Sequence, residues 1–154
     1  MPHFIATIVW ERGAQPFADN RYSRAHEWRF DGGLTVPGSS SPHSVPLPMS
    51  DPGALDPEEA LVAALSSCHM LFFLSIAAQR GFIVDRYRDE ACGILDQDGN
   101  GKMAMTRITL APSIVFGGER QPTDEELDAI HHSAHDKCYI ANSIKAEVII
   151  NADC

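Results

Sequence analysis

An α+β fold with a largely antiparallel sheet is predicted by three observations. Short β-branched and apolar runs open and close the chain, two segments carry helix-start signatures, and a turn-rich hexapeptide splits a long apolar stretch into a hairpin. The resulting order is β-β, helix, β-β, helix, β.

Phe4 to Glu11 is apolar and β-branched, which predicts a strand; Gly13 to Asn20 is a turn region. Arg24 to Asp31 alternates and should pair back on the first strand, ending at Gly32-Gly33. Pro37 to Pro52 is rich in proline and serine and predicts a long loop that covers or serves a site. Asp56-Pro57-Glu58-Glu59 is a helix start: Asp56 can cap, Pro57 suits the first turn, and Glu59 sits three residues after the cap. The helix then runs from Ala60 to Gln79 and stops at Gly81. It is apolar all round, so it should be a central buried helix with sheet wrapped about it. Ala60 to Ala78 is almost long enough to span a bilayer. Ser66, Ser67, His69 and Ser75 interrupt it, and Glu58, Glu59 and Arg80 flank it, which favours a core helix over a membrane span.

Tyr87 to Leu95 and Met103 to Phe116 read as hairpin strands around Asp96 to Gly101. That hexapeptide resembles the start of a calcium loop, but the closing carboxylate position holds Arg107, so a turn is the better reading. Thr123 and Glu126 form a second capping box, starting a helix that reaches His135 to Cys138. Ile144 to Ile150 is the last strand.

The 154 residues suit a single domain, 1-154, with its own core. The net charge of -9 disfavours nucleic acid and anionic membrane surfaces as partners. The first residues lack a basic leader, and their apolar run breaks at Glu11 and Arg12, so a cytoplasmic location is expected. In a reducing compartment cysteines are reactive, metal-binding or packing residues rather than staples. Cys92, on a predicted strand, and Cys154, the last residue, are read as packing residues.

Cys68, in LSSCHM, and Cys138, after HHSAHDK, are by themselves small core hydrophobes by default. His131, His135 and Cys138 share a helix face at a spacing that suits zinc. The competing reading is a hydrogen-bonded or solvated face, because no second ligand cluster accompanies them unless His69 folds nearby. Arg21 and Arg24 lie beside the first hairpin turn, where charged residues are ordinarily just solvated.

Taken together, two segments resemble the signatures of a divergent branch of the OsmC/Ohr family, the osmotically inducible protein C and organic hydroperoxide resistance proteins. DPEEALVAALSSCHM has an acidic pair at a helix start, an alanine-rich stretch and a cysteine ten residues after the first glutamate. AHDKCYIANS has a cysteine after an alanine-histidine-acidic run. The resemblance implies an OsmC-like intertwined homodimer, with two sheets wrapping two central helices and active sites at the subunit interface. It implies a cysteine-based organic hydroperoxidase that needs no metal, haem or flavin. Cys68 resembles the peroxidatic thiol, Cys138 the resolving thiol and Glu58 the active-site glutamate. Arg24 best matches the family's arginine, with Arg21 in reserve. The implied partners are an organic hydroperoxide and a dithiol reductant, which in part of the family is a lipoyl group.

The chemistry such a site requires is plain. A thiolate attacks the peroxide, free cysteine has a pKa near 8.5, and a guanidinium favours the charged form. The same guanidinium can bind the peroxide and stabilise the departing alkoxide, with Glu58 expected to hold it by a bidentate ion pair. The sulfenic acid on Cys68 then condenses with Cys138. Met70, Leu71, Phe72 and Phe73 either line a pocket for an apolar peroxide or, for most of them, are core. On one unbroken helix Glu58 and Cys68 stand about 15 Å apart, too far to touch. Two other classes remain: a zinc-binding protein using His131, His135 and Cys138, and a non-catalytic ligand-binding module on the same fold.

Overall fold

Strand pairing begins within the first 40 residues of the computed structural model, which describes residues 1–152 and 154. Two compact units divide the chain, Met1–Ala60 and Leu61–Cys154. In the first, β1 (Ala6–Val9), β2 (His26–Phe30) and β3 (Thr35–Gly38) form an antiparallel sheet with β2 in the middle. β3 runs into the proline-rich segment expected to be loop, taking in Pro37 and Gly38. Pro37 has no N–H to donate, yet a strand with one sheet partner tolerates it. Beyond that edge, Leu55 N–H donates to the Pro37 carbonyl and Ser39 N–H to the Leu55 carbonyl, both at 3.0 Å. The rest of the segment, through Pro52, is irregular as expected.

The helix α1 (Pro57–Gln79) starts where its signature predicts. Asp56 Oδ1 accepts the Glu59 N–H at 2.7 Å, and the chain leaves the helix through Gly81 at φ 79°. α1 is unbroken, so Glu58 and Cys68 lie ten positions and about 15 Å of helix rise apart.

In the second unit the predicted hairpin is present but folded at a corner. Four strands replace two: β4 (Ile83–Asp89), β5 (Cys92–Gln97), β6 (Met103–Leu110) and β7 (Pro112–Gly117). β4 pairs with β7 and β5 with β6, both antiparallel. Asp89 explains the corner. Its Oδ1 accepts the Ala111 N–H at 2.7 Å, occupying the donor that would have continued the ladder. Helix α2 (Asp124–Lys137) has the predicted capping box, with Thr123 Oγ1 and Glu126 each accepting the other's backbone N–H. β8 (Glu147–Ile150) pairs with β6 in parallel, a departure from the mainly antiparallel expectation.

Two apolar clusters hold this unit. Phe73, Ile76, Ala77, Phe82, Ile130 and Ala134 form one. Leu65, Ile108, Leu110 and Cys138 form the other, with Cys68 packed against it. Each large apolar side chain so buried contributes roughly 1.5–3 kcal/mol. α1 supplies Leu65, His69, Phe73, Ile76 and Ala77 to this interior. Its other side is open in the single chain, where Leu71 is 61% exposed. α1 is thus the core helix expected, covered on one side only within one chain.

Candidate functional site

Cys68 and Cys138 are 70 residues apart in sequence and meet in the fold. Cys68 lies midway along α1, and Cys138 is the residue at which α2 ends. Both are free thiols; Cys68 is half-buried and Cys138 is fully buried. Cys68 packs against the apolar cluster that contains Cys138, and the Ala141 N–H donates to Cys138 Sγ at 3.4 Å. Burial, chiefly, and then the hydrogen bond with Cys68 push the Cys138 thiol up to about 11. Cys138 therefore keeps its proton at neutral pH and is the natural donor in this sulfur pair. The Tyr139–Ser143 turn that follows α2, with a 3-10 segment at Ala141–Ser143, aims the Ala141 N–H at the sulfur, while the Asn142 N–H donates to the Cys138 carbonyl at 3.0 Å.

A polar group lies between the same two helices. His69 Nε2 and His131 Nδ1 are 3.0 Å apart, with the rings stacked at 5.4 Å between centroids. The pair is 1% and 3% exposed. Burial, with the neighbouring His131 and His135, lowers His69 to about 4; burial also lowers His131, although Asp128 and Asp89 oppose it. Both rings are therefore neutral at pH 7, and one donates its N–H to the other's lone pair. Asp89 also accepts the Ser66 hydroxyl, tying α1 to β4. Burial and the Asp89 charge raise Tyr87.

In the first unit, Arg24 is held through its backbone and both terminal guanidinium nitrogens. Its N–H donates to the Met49 carbonyl at 2.7 Å. Its guanidinium donates to the Asn20 carbonyl at 3.1 Å, the Asn20 Oδ1 at 2.8 Å and the Tyr22 carbonyl, and lies 3.8 Å over the Tyr22 ring. Its carbonyl faces His26 Nδ1 at 2.7 Å, while His26 Nε2 accepts the Trp28 N–H at 2.8 Å. Since Nε2 is the acceptor, Nδ1 carries the proton and donates to Arg24. This stack requires Gly38 across the strand, because a Cβ there would lie 2.5 Å from Trp28 Nε1. Arg24 borders a cavity of about 420 Å³ whose wall includes Trp10, Phe17 and Tyr22. Those rings pack on one another at 4.6–5.8 Å. Volume and aromatic lining suit a small apolar molecule with one polar end.

Several expectations are corrected here. Glu58 makes no ion pair with Arg24 among the described residues, because the guanidinium is engaged by Asn20 and Tyr22. Arg21 is exposed and does not line the cavity. Cys92 and Cys154 are not packing residues: they are joined in a disulfide. Of the four apolar residues after His69, Phe73 is core, Met70 and Phe72 are half-buried and Leu71 is exposed. His131 faces His69 while Cys138 faces Cys68, so the three proposed zinc ligands do not converge. No group of three His, Cys, Asp or Glu side chains among the described residues is placed to hold a metal. The Asp89 corner and the aromatic cavity were missed, and the approach of His69 to His131 was considered only as part of a zinc site. For the cavity a signal existed, since Trp10, Phe17 and Tyr22 crowd one predicted turn; for Asp89 and Ser66 there was none.

Comparison with known proteins follows the same lines. No curated protein matches the chain. Among solved structures, an OsmC-like protein of unknown function from Vibrio cholerae is 50% identical, with a TM-score of 0.96, over 97% of this chain and 98% of that one. An organic hydroperoxide resistance protein from Elizabethkingia anophelis shares the fold at 16% identity and TM-score 0.70, covering 98% of this chain and 94% of its own. That of Bacillus subtilis does so at 15% and 0.67, covering 98% of each chain. The family description "OsmC-like protein" matches residues 50–153, which hold both thiols and the helices that carry them, and the chain belongs to that family.

Proposed function

We propose that the chain is a thiol-dependent peroxidase that reduces organic hydroperoxides to alcohols in the cytoplasm. The observation that carries this reading is the contact between two free thiols from distant helices, one of which keeps its proton. Cys68 as thiolate attacks the outer peroxide oxygen; the O–O bond breaks and the alkoxide takes a proton to leave as alcohol. Cys68 is left as sulfenic acid. The Cys138 sulfur attacks it, the S–S bond forms, and hydroxide leaves as water with the Cys138 proton. A dithiol, lipoyl or another small one, returns two electrons by exchange.

Arg24 is proposed as the cation on its resemblance to the family's arginine; within the first unit it is ordered by Asn20, Tyr22 and His26 and borders an apolar cavity able to take a small apolar ligand. Glu58 is proposed as an active-site carboxylate from its motif, and Glu58→Gln with unchanged turnover would remove it. The open apolar side of α1 supports a homodimer, since such a helix is ordinarily covered on all sides. The deciding experiment is non-reducing peptide mapping after one equivalent of cumene hydroperoxide. A Cys68–Cys138 linked peptide formed with one equivalent of alcohol is expected. Alcohol formed without that link removes Cys138 from the mechanism; no alcohol at all leaves a ligand-binding module built on the cavity.

A further inference from the structure

We propose that Cys92 and Cys154 form a second thiol–disulfide couple, reached at the protein surface by low-molecular-weight thiols and disulfides and independent of the Cys68/Cys138 pair. The placement is specific. Cys92 opens β5 and stands opposite Thr109 of β6, which stands opposite Ile149 of β8. Cys154 follows β8 by four residues. The bond thus joins one outer strand to the chain end beyond the other outer strand, across β6. The Cα atoms are 6.0 Å apart, within the span a disulfide bridges without backbone movement.

Two properties separate this couple from a permanent staple. The first is access. Cys154 is exposed and Cys92 half-buried, while Cys138 is 0% exposed. Exchange needs a thiolate to approach one sulfur in line with the bond, so an exposed disulfide exchanges faster than a buried one. The second is holding. Neither sulfur belongs to the two apolar clusters. Before Cys154, the chain is tied by the four β6–β8 register pairs and by the Asn151 N–H on the Leu110 carbonyl at 2.9 Å. A sulfur outside the apolar core is not pressed against its partner by packing, which favours reversible over permanent oxidation.

The consequence lies in what the bond encloses. The two cysteines are 62 residues apart, and β6, β7, α2, Cys138 and β8 fall between them. Oxidation closes that loop and reduction releases it, so the bond stabilises the fold of this segment without exchanging electrons with the Cys68/Cys138 pair. The step balances. Two thiols give two electrons to a small disulfide, which leaves as two thiols with the two protons, and a small dithiol reverses the exchange.

The test uses the Cys68→Ser/Cys138→Ser double variant, in which only this couple remains, and needs no peroxidase turnover, so its outcome is separate from the reading above. In native buffer, oxidised glutathione should give a Cys92–Cys154 linked peptide. Dithiothreitol, without denaturant, should return two alkylatable thiols. The bonded form should melt about 10 °C above the reduced form, a gap that a further Cys154→Ser abolishes. A bond that yields only in denaturant, or thiols that stay alkylatable after oxidation, would overturn the proposal. If the double variant does not fold, the same mapping on the unmodified chain, with each cysteine peptide read separately, decides it.

Discussion

Two cysteine pairs occupy this molecule, and their surroundings differ in almost every respect. Cys68 and Cys138 come from the middle of one helix and the end of another, meet inside an apolar cluster and remain free. Cys92 and Cys154 come from a strand start and the chain end, lie outside both clusters and are bonded. The same side chain is therefore given different chemistry by desolvation and neighbours. Inside, burial holds Cys138 protonated beside a partner that can be oxidised first. Outside, solvent access makes exchange with small molecules the natural reaction.

The largest effect that separates the pairs should come from Cys68→Ser, with at least a ~1000-fold loss of cumene hydroperoxide turnover in a coupled dithiol assay. Cys138→Ser should release one equivalent of alcohol and stall, with Cys68 passing to sulfinic acid in the mass spectrum. Steady turnover by either variant would break the distinction between an interior catalytic pair and a surface pair. Arg24→Ala should cost about 100-fold in kcat/KM with the melting temperature little changed, as expected for a cation acting on a developing oxyanion. A loss below threefold would return the arginine to a structural part in its loop.

Acid and alkali should sharpen the comparison from the stability side. His69 is lowered in the fold from 6.5 to about 4, so the fold favours the neutral ring. That stabilisation is complete above pH 6.5 and is lost as pH falls toward 4, by up to about 3 kcal/mol. Cys138 is raised from 9 to about 11, so its stabilisation is complete below pH 9 and is lost as pH rises toward 11, by about 2–3 kcal/mol. Urea unfolding at pH 4.5, 7.5 and 10.5 should give a maximum at 7.5, and His69→Gln should flatten the acid limb. The smallest effect should be that of Cys154→Ser on peroxide turnover at 25 °C, within about twofold of the unmodified chain. A tenfold loss would join the two pairs into one electron path.

Much of the architecture could be read from local pattern. The Asp56 and Thr123 caps, the span of α1 and the turn after β5 all depend on residues a few positions apart; the caps and α1 stand where expected, and the turn is shorter because Asp96 and Gln97 still pair with Ala104 and Met103. Strand limits were less legible. The corner at Asp89 and Ala111 is made by a side chain meeting a backbone donor 22 residues away, and β3 exists because Leu55 and β2 flank a proline. The thiol pair was legible only through two motifs read together, and the histidine pair only as the chance that His69 folds near His131, since each resembles an ordinary helix residue until they face one another.

Spacing and composition alone settled which segments are helices, where they begin, and which residues could do thiol chemistry, because capping, periodicity and side-chain reactivity act over a turn or two of chain. Which cysteine meets which, whether Arg24 is held by a carboxylate or by carbonyls, and which histidines lose their charge were decided by folding. Those outcomes depend on desolvation and on contacts between residues remote in the chain, and neither is encoded at any single position.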